Sequence, residues 1–359
     1  MEKVGKQPVV LKKKIAEYKD KLIKEVKECN QVYLTTHLNE DYDAIASIGA
    51  MALICKRLKK APYIVVDQDD FDSLSVEKSD MYESLRDKNF IIINLEDFKN
   101  NVVENSLLIV LDTNKKHLTP LKNNYDDFSS IIIFDHHNTD SDTIKTKNKF
   151  ILPDMVSSTS EMMFWLLKAM RINPKDKLYR NLLLTGIILD TDNKNKNTYE
   201  STLRSYMELN NPLNVDKEYV DMHFSTDYES DRRVQHLVDE MQWITMRFGI
   251  SVDNSMNYTK EEVAKAADYA LKYTAEAIIT CGKAEDGGYN VSARSKRGNM
   301  NLAAMMAILN GGGGNDYNAS CSPLYPKCAD LDEEKEEILR RIKNILYLRS
   351  RRKKPNNGK

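Results

Sequence analysis

The sequence has few cysteines. The five, Cys29, Cys55, Cys281, Cys321 and Cys328, are too scattered for a disulfide framework. None forms a C-x-x-C pair, so a thiolate zinc site is not expected, and reduced cysteines in a cytoplasmic protein are the expected state. No apolar run approaches the ~18–20 residues needed to span a bilayer. The first residues, Met1-Glu-Lys-Val-Gly-Lys, lack the apolar core of a signal peptide, so no membrane partner is expected. Net charge is also scarce, at −1. It is unevenly spread: Leu346 to Lys359 carry six cations and no acid, which leaves residues 1–345 at about −7. An acidic body argues against broad nucleic-acid coating and is compatible with a carboxylate metal site.

What is present is a soluble, globular balance: 41% hydrophobic and 30% charged residues, enough apolar material for two cores. At 359 residues, two domains of roughly 100–200 residues each are expected. A lysine-rich amphipathic helix is predicted from about Lys12 to Cys29. Strands are predicted at 32–36, 63–66, 90–93, 107–111 and 131–134, alternating with helices. The last two are continuous apolar runs, as expected of strands covered on both faces of a parallel sheet. The fold class is therefore α/β, with a parallel doubly wound sheet. Ser158-Thr159-Ser160-Glu161 reads as a capping box opening a helix to Met170. A second α/β unit is expected from strands at 249–252, 277–280 and 290–295, a helix at 302–309 ending in Gly311–Gly314, and a closing helix from Asp332 to Tyr347.

The chemistry gathers beyond strand C-termini, where open α/β sheets place their binding crevice. His37, Asp41 and Asp43 follow the first strand, Asp112 follows the strand at 107–111, and Asp135-His136-His137 follow the strand at 131–134. Asp190, after an apolar run, is a fourth candidate. Singly these have ordinary readings: a turn or cap aspartate, a core histidine, a solvated turn. Together they hold three of the six histidines, and His117, His223 and His236 are left as structural or surface residues. Carboxylates and imidazoles without sulfur suit hard-to-borderline divalent cations, and such a set can hold two ions that share a carboxylate.

In order and spacing these motifs resemble the DHH/DHHA1 phosphoesterase family. His37-x-x-x-Asp41-x-Asp43-Ala-Ile-Ala-Ser, Leu111-Asp112-Thr113, Asp135-His136-His137 and Gly186-Ile-Ile-Leu-Asp190-Thr are similar to its four motifs over roughly residues 31–200. The resemblance implies two Mn²⁺ ions, one held by His37, Asp41 and Asp112, the other by Asp43, Asp112, His136 and Asp190. It further implies that His137 contacts the scissile phosphate or assists proton transfer, with Asp135 orienting its neighbours. Val291-Ser-Ala-Arg294-Ser, Asn299-x-Asn301 and the glycine quartet resemble the DHHA1 substrate domain. They imply substrate contacts by Arg294, Gly312, Gly313, Gly314 and Asn315, and the segment at 153–161 adds Ser157 and Ser158.

The implied layout is an N-terminal helix (1–30), a DHH catalytic domain (31–205), a linker helix (206–244), a smaller α/β DHHA1 domain (245–345) and a basic disordered tail (346–359). Three positions depart from the family's pattern: Asn315 where it has His, Glu40 where proline is usual, and Asn114 where the cyclic-dinucleotide branch often has His. The expected activity is hydrolysis of cyclic di-AMP to pApA. A nano-RNase or pApA hydrolase acting on short oligonucleotides is the alternative, and an inactive nucleotide-binding regulator is the reading of another class. A pyrophosphatase and a RecJ-like exonuclease fit the chain less well. The resemblance is compatible with a homodimer, and the basic tail with weak nucleic-acid contact.

Overall fold

The computed structural model describes residues 7–121, 124–173, 176–194, 196–224, 227–245, 247–273, 276–296, 301–314, 317–327 and 331–352. The chain divides into two compact units, Met1–Ser225 and Thr226–Lys359.

The first unit is organised by β1 (Gln31–Thr35), β2 (Tyr63–Val65), β3 (Ile91–Ile93), β4 (Ser106–Leu111), β5 (Ser130–Asp135) and β6 (Asn148–Ile151). They form one sheet in the order β3-β2-β1-β4-β5-β6, and every pairing is parallel. Side chains alternate faces along a strand, and here both faces are covered. Tyr33, Leu108, Val110 and Ile133 enter one core. Leu34, Ile109, Ile132 and Phe134 enter the other. The helices are α1 (Gln7–Glu28), α2 (Tyr42–Arg57), α3 (Gln68–Asp72), α4 (Val76–Arg86), α5 (Leu95–Asn101), α6 (Thr159–Ala169), α7 (Lys177–Asp190), α8 (Glu200–Leu209) and α9 (Lys217–Met222). The strand order reverses direction between β1 and β4, which opens a crevice at their C-terminal ends.

Two expected boundaries are corrected. The N-terminal helix is not a separate piece, because Leu11, Ile15, Leu22 and Val26 are buried in the first unit's core. The stretch 206–244 is not a linker either. Leu209, Val215 and Val220 belong to that same core, whereas Val234, Leu237 and Val238 of α10 (Tyr228–Asp239) pack in the second unit.

The second unit carries β7 (Gln242–Thr245), β8 (Phe248–Asp253), β9 (Ala277–Lys283), β10 (Tyr289–Ser295), β11 (Gly313–Gly314) and β12 (Asn318–Leu324), in the order β11-β12-β10-β9-β8-β7. Only β8 and β9 pair in parallel. Ile278 faces α10 and α11 (Lys260–Ala270). Its neighbour Ile279 faces the core shared by α12 (Leu302–Asn310) and α13 (Leu331–Arg352). The closing helix runs to Arg352, so the start of the basic tail is helical rather than disordered, and residues 353–359 lie outside the described residues. Among the described residues no helix is long and apolar enough to cross a membrane.

Candidate metal centre and nucleotide site

The ends of β1, β4 and β5 and the N-terminus of α2 and C-terminus of α7 bring the expected donors together. One ligand atom each of His37, Asp41 and Asp112 lies within 4.8 Å of the others. The same holds for Asp43, His136 and Asp190, and for Asp112, His136 and His137. His37 Nδ1 donates to the Leu38 carbonyl at 2.7 Å. Its Nε2 therefore keeps a lone pair, 3.6 Å from Asp112 Oδ2 and 4.0 Å from Asp41 Oδ1. His136 Nε2 lies 3.5 Å from Asp112 Oδ1 and 3.1 Å from Asp190 Oδ2. Asp112 sits at φ +60°, a left-handed conformation that aspartate tolerates better than most residues. Strain of this kind concentrates at functional sites.

The sequence marks Thr159 and Ser160 only as part of a capping box and Asn114 only as a departure from the family pattern, not as residues that hold these donors. The Thr159 and Ser160 backbone N–H groups, at the start of α6, donate to the two oxygens of buried Asp43 at 2.8 and 2.7 Å. Thr159 Oγ1 donates to Asp112 Oδ1 at 2.9 Å. A helix N-terminus favours an anion, so α6 stabilises the carboxylates that α2 and β4 present. Gly186 on α7 permits the close approach: a Cβ there would lie 2.3 Å from Ser160 Oγ and 2.9 Å from Asp43 Oδ1. Asn114, one of the departures from the family pattern, donates to Asp135 Oδ2 at 2.5 Å and accepts from Thr143 Oγ1 at 3.2 Å. Asp135 in turn accepts from His137 Nδ1 at 2.8 Å. That bond leaves His137 Nε2 as the free ring nitrogen, on a side chain that is 57% exposed.

Burial, then the charges of Asp43, Asp41, Asp190 and Asp135, push the Asp112 carboxyl well above the usual carboxylate range. Burial and Asp43 push Asp190 up to about 7, although nearby His136 offsets part of this. Burial lowers His136, but Asp190, Asp43 and Asp135 outweigh it and push the imidazole up to about 9. Burial would raise Asp135, yet His137 and His136 hold it below the usual range. Carboxylates that raise one another's pKa are short of positive charge. Asp190 Oδ2 is buried without a well-directed hydrogen bond, which leaves a lone pair to offer. The donor set therefore fits hard-to-borderline divalent cations.

Residues 31–187, which contain every donor except Asp190, match the DHH family, N-terminal domain. The chain carries a DHH domain. The cyclic-di-AMP phosphodiesterase PdeA of Listeria monocytogenes is 24% identical over 294 residues, covering 80% of this chain and 44% of that protein. A membrane protein–large ribosomal subunit bL9 fusion protein of Aster yellows witches'-broom phytoplasma is 23% identical over 299 residues, 81% of this chain and 35% of that protein. The chain thus spans less than half the length of these curated relatives. An exopolyphosphatase-related protein of Bacteroides fragilis shares the fold, with a TM-score of 0.66 at 16% identity, covering 92% of this chain and 97% of that one.

Within the DHH domain, Ser157 and Ser158 are corrected. Both are fully buried. Ser157 Oγ donates to Glu161 Oε2 at 2.8 Å, and Ser158 Oγ accepts from the Glu161 N–H at 3.0 Å. Their hydroxyls are committed to starting α6 rather than to a ligand.

The second unit holds a cavity of about 520 Å³ whose lining includes Lys260, Asn290, Ser292, Arg294, Gly313 and Gly314. The glycine quartet divides its tasks. Gly311, at φ +67°, ends α12. A Cβ on Gly312 or Gly314 would lie 2.3 Å from the Ser320 or Asn318 carbonyl, so both let the chain lie against β12. Gly313 has open space beside it. Asn315 lies outside the described residues.

Proposed function

We propose that the chain is a phosphodiesterase that uses two Mn²⁺ ions and opens cyclic di-AMP to pApA. The observation that carries this reading is the pair of donor triads, His37/Asp41/Asp112 and Asp43/His136/Asp190, meeting over buried Asp112. The name of the Listeria relative supports the substrate. Asp112 would serve both ions, with His37 and Asp41 on one and Asp43, His136 and Asp190 on the other. Bound there, such ions lower the pKa of water and stabilise the attacking and leaving oxygens of an in-line displacement.

The protein's own groups do the rest. Asp43 is held on the α6 N-terminus by two backbone N–H bonds. Asp135 fixes the His137 tautomer. Nε2, on the exposed edge, can give a proton to the departing 3′ oxygen only from the imidazolium, which passes its Nε2 proton on and returns to the Nδ1–H tautomer that Asp135 holds. The cavity of the second unit is assigned to the dinucleotide. It is lined by polar groups and by backbone that can approach a phosphate closely.

The test is to incubate the full chain and Mn²⁺ with cyclic di-AMP, pApA, a short RNA and pyrophosphate, and to separate the products. The expected result is pApA from cyclic di-AMP. Rapid pApA cleavage without turnover of cyclic di-AMP would replace this substrate by short linear oligonucleotides. No turnover of any substrate would leave a nucleotide-binding regulator.

A further inference from the structure

Arg294, on β10, lines the second unit's cavity with four of its five donors engaged. Its Nε donates to Asp268 Oδ1 at 2.7 Å and its Nη2 to Asp268 Oδ2 at 3.2 Å. Nη1 donates to Ser292 Oγ at 2.7 Å and to the Ala293 carbonyl at 3.2 Å. A guanidinium has five N–H donors, so one is left. The side-on edge formed by Nε and Nη2 is the one that grips a carboxylate or a phosphate through two parallel bonds. Asp268, on α11, holds that edge.

The two partners differ in freedom. The Arg294 side chain is 14% exposed and braced by Ser292 and Ala293, whereas that of Asp268 is 56% exposed. The carboxylate is the partner that can leave.

We propose that Asp268 is a built-in competitor for the anion site of this cavity: a phosphate of the dinucleotide takes the two-pronged edge of Arg294 only by displacing the Asp268 carboxylate. The exchange rests on the assignment of this cavity to the dinucleotide. It makes Asp268 a specificity-determining residue. A weakly gripping anion does not dislodge it, and a phosphate that also meets Ser292 and the glycine backbone does. Ion pairs this exposed are weakly held, so removing the competitor gives a modest gain of about three- to five-fold.

The test is equilibrium binding of pApA to the full chain without added metal, for the parent and for Asp268→Asn, Arg294→Gln and the double variant. With Mn²⁺ added, kcat and KM for cyclic di-AMP are measured on the same proteins. Asp268→Asn is expected to lower Kd about three- to five-fold, and Arg294→Gln to raise it at least about ten-fold. In the double variant the gain disappears, because it passes through Arg294.

A weaker or unchanged affinity in Asp268→Asn overturns the exchange. So does a gain that persists in the double variant, since that is charge acting through space. If the parent binds pApA but turns over no substrate, the enzymatic reading fails while the binding arm still decides the exchange. A parent that neither binds nor turns over overturns both.

Discussion

The two units solve opposite problems with similar parts. In the first, a sheet with every pairing parallel and covered on both faces gathers charged groups at one crevice, where burial and the charges of four neighbouring aspartates raise the Asp112 carboxyl. In the second, a mixed sheet leaves its polar residues along an open cavity and relies on glycine for close approach. Chemistry at a metal pair needs crowding that destabilises the empty protein. Holding a ligand needs access and balanced, exchangeable partners. The difference assigns strain to one unit and exchange to the other.

The largest expected break is Asp112→Asn. On the proposed function it should cut kcat/KM for cyclic di-AMP by at least about a thousand-fold, since both ions would lose a shared ligand. The metal-free protein should become more stable, with its melting temperature up by about 2–4 °C, because a buried carboxylate among carboxylates is replaced by a neutral group. A lower melting temperature would contradict the account of a crowded empty site.

Chelation comes next. Removing divalent cations should abolish turnover, and adding Mn²⁺ at 100-fold its Kd should stabilise the first unit by about 2.7 kcal/mol. Hydrogen exchange should slow around 41–43 and 159–160 and stay unchanged around 290–294. Slowing in both units would break the comparison.

The glycines sharpen it. Gly186→Ala and Gly312→Ala each put a Cβ 2.3 Å from an oxygen. Each should cost about 1–3 kcal/mol of stability. The first should also lower activity at saturating substrate, whereas the second should act on KM. Smallest is Asn114→Ala, which should lower kcat about ten- to a hundred-fold with KM and folding retained, because Asp135 and His137 lose their brace.

The donors and the parallel sheet were legible because each motif is local: an apolar run, then an acid or a histidine. β6, β7 and β12 were not, because Asn-Lys-Phe-Ile, Gln-Trp-Ile-Thr and Asn-Ala-Ser-Cys-Ser-Pro-Leu are too short or too polar to show a strand's alternation. Ser157 and Ser158 were misread as ligand contacts because a capping serine and a binding serine look alike until burial separates them. The roles of Thr159, Ser160 and Asn114 left no trace because they act across long stretches of chain, and spacing reports only neighbours.

That last point bears on biosynthesis. Asp43 meets its backbone donors 116 and 117 residues downstream, and Asp190 is farther still. A ribosome-bound chain that has not yet delivered α7 holds the first triad's residues without the second, and without the packing that Gly186 permits. Contacts of such long sequence separation form late. On the proposed two-ion reading, capture of the second ion would therefore report that the chain has been made and folded through α7, whereas the first triad is complete before it.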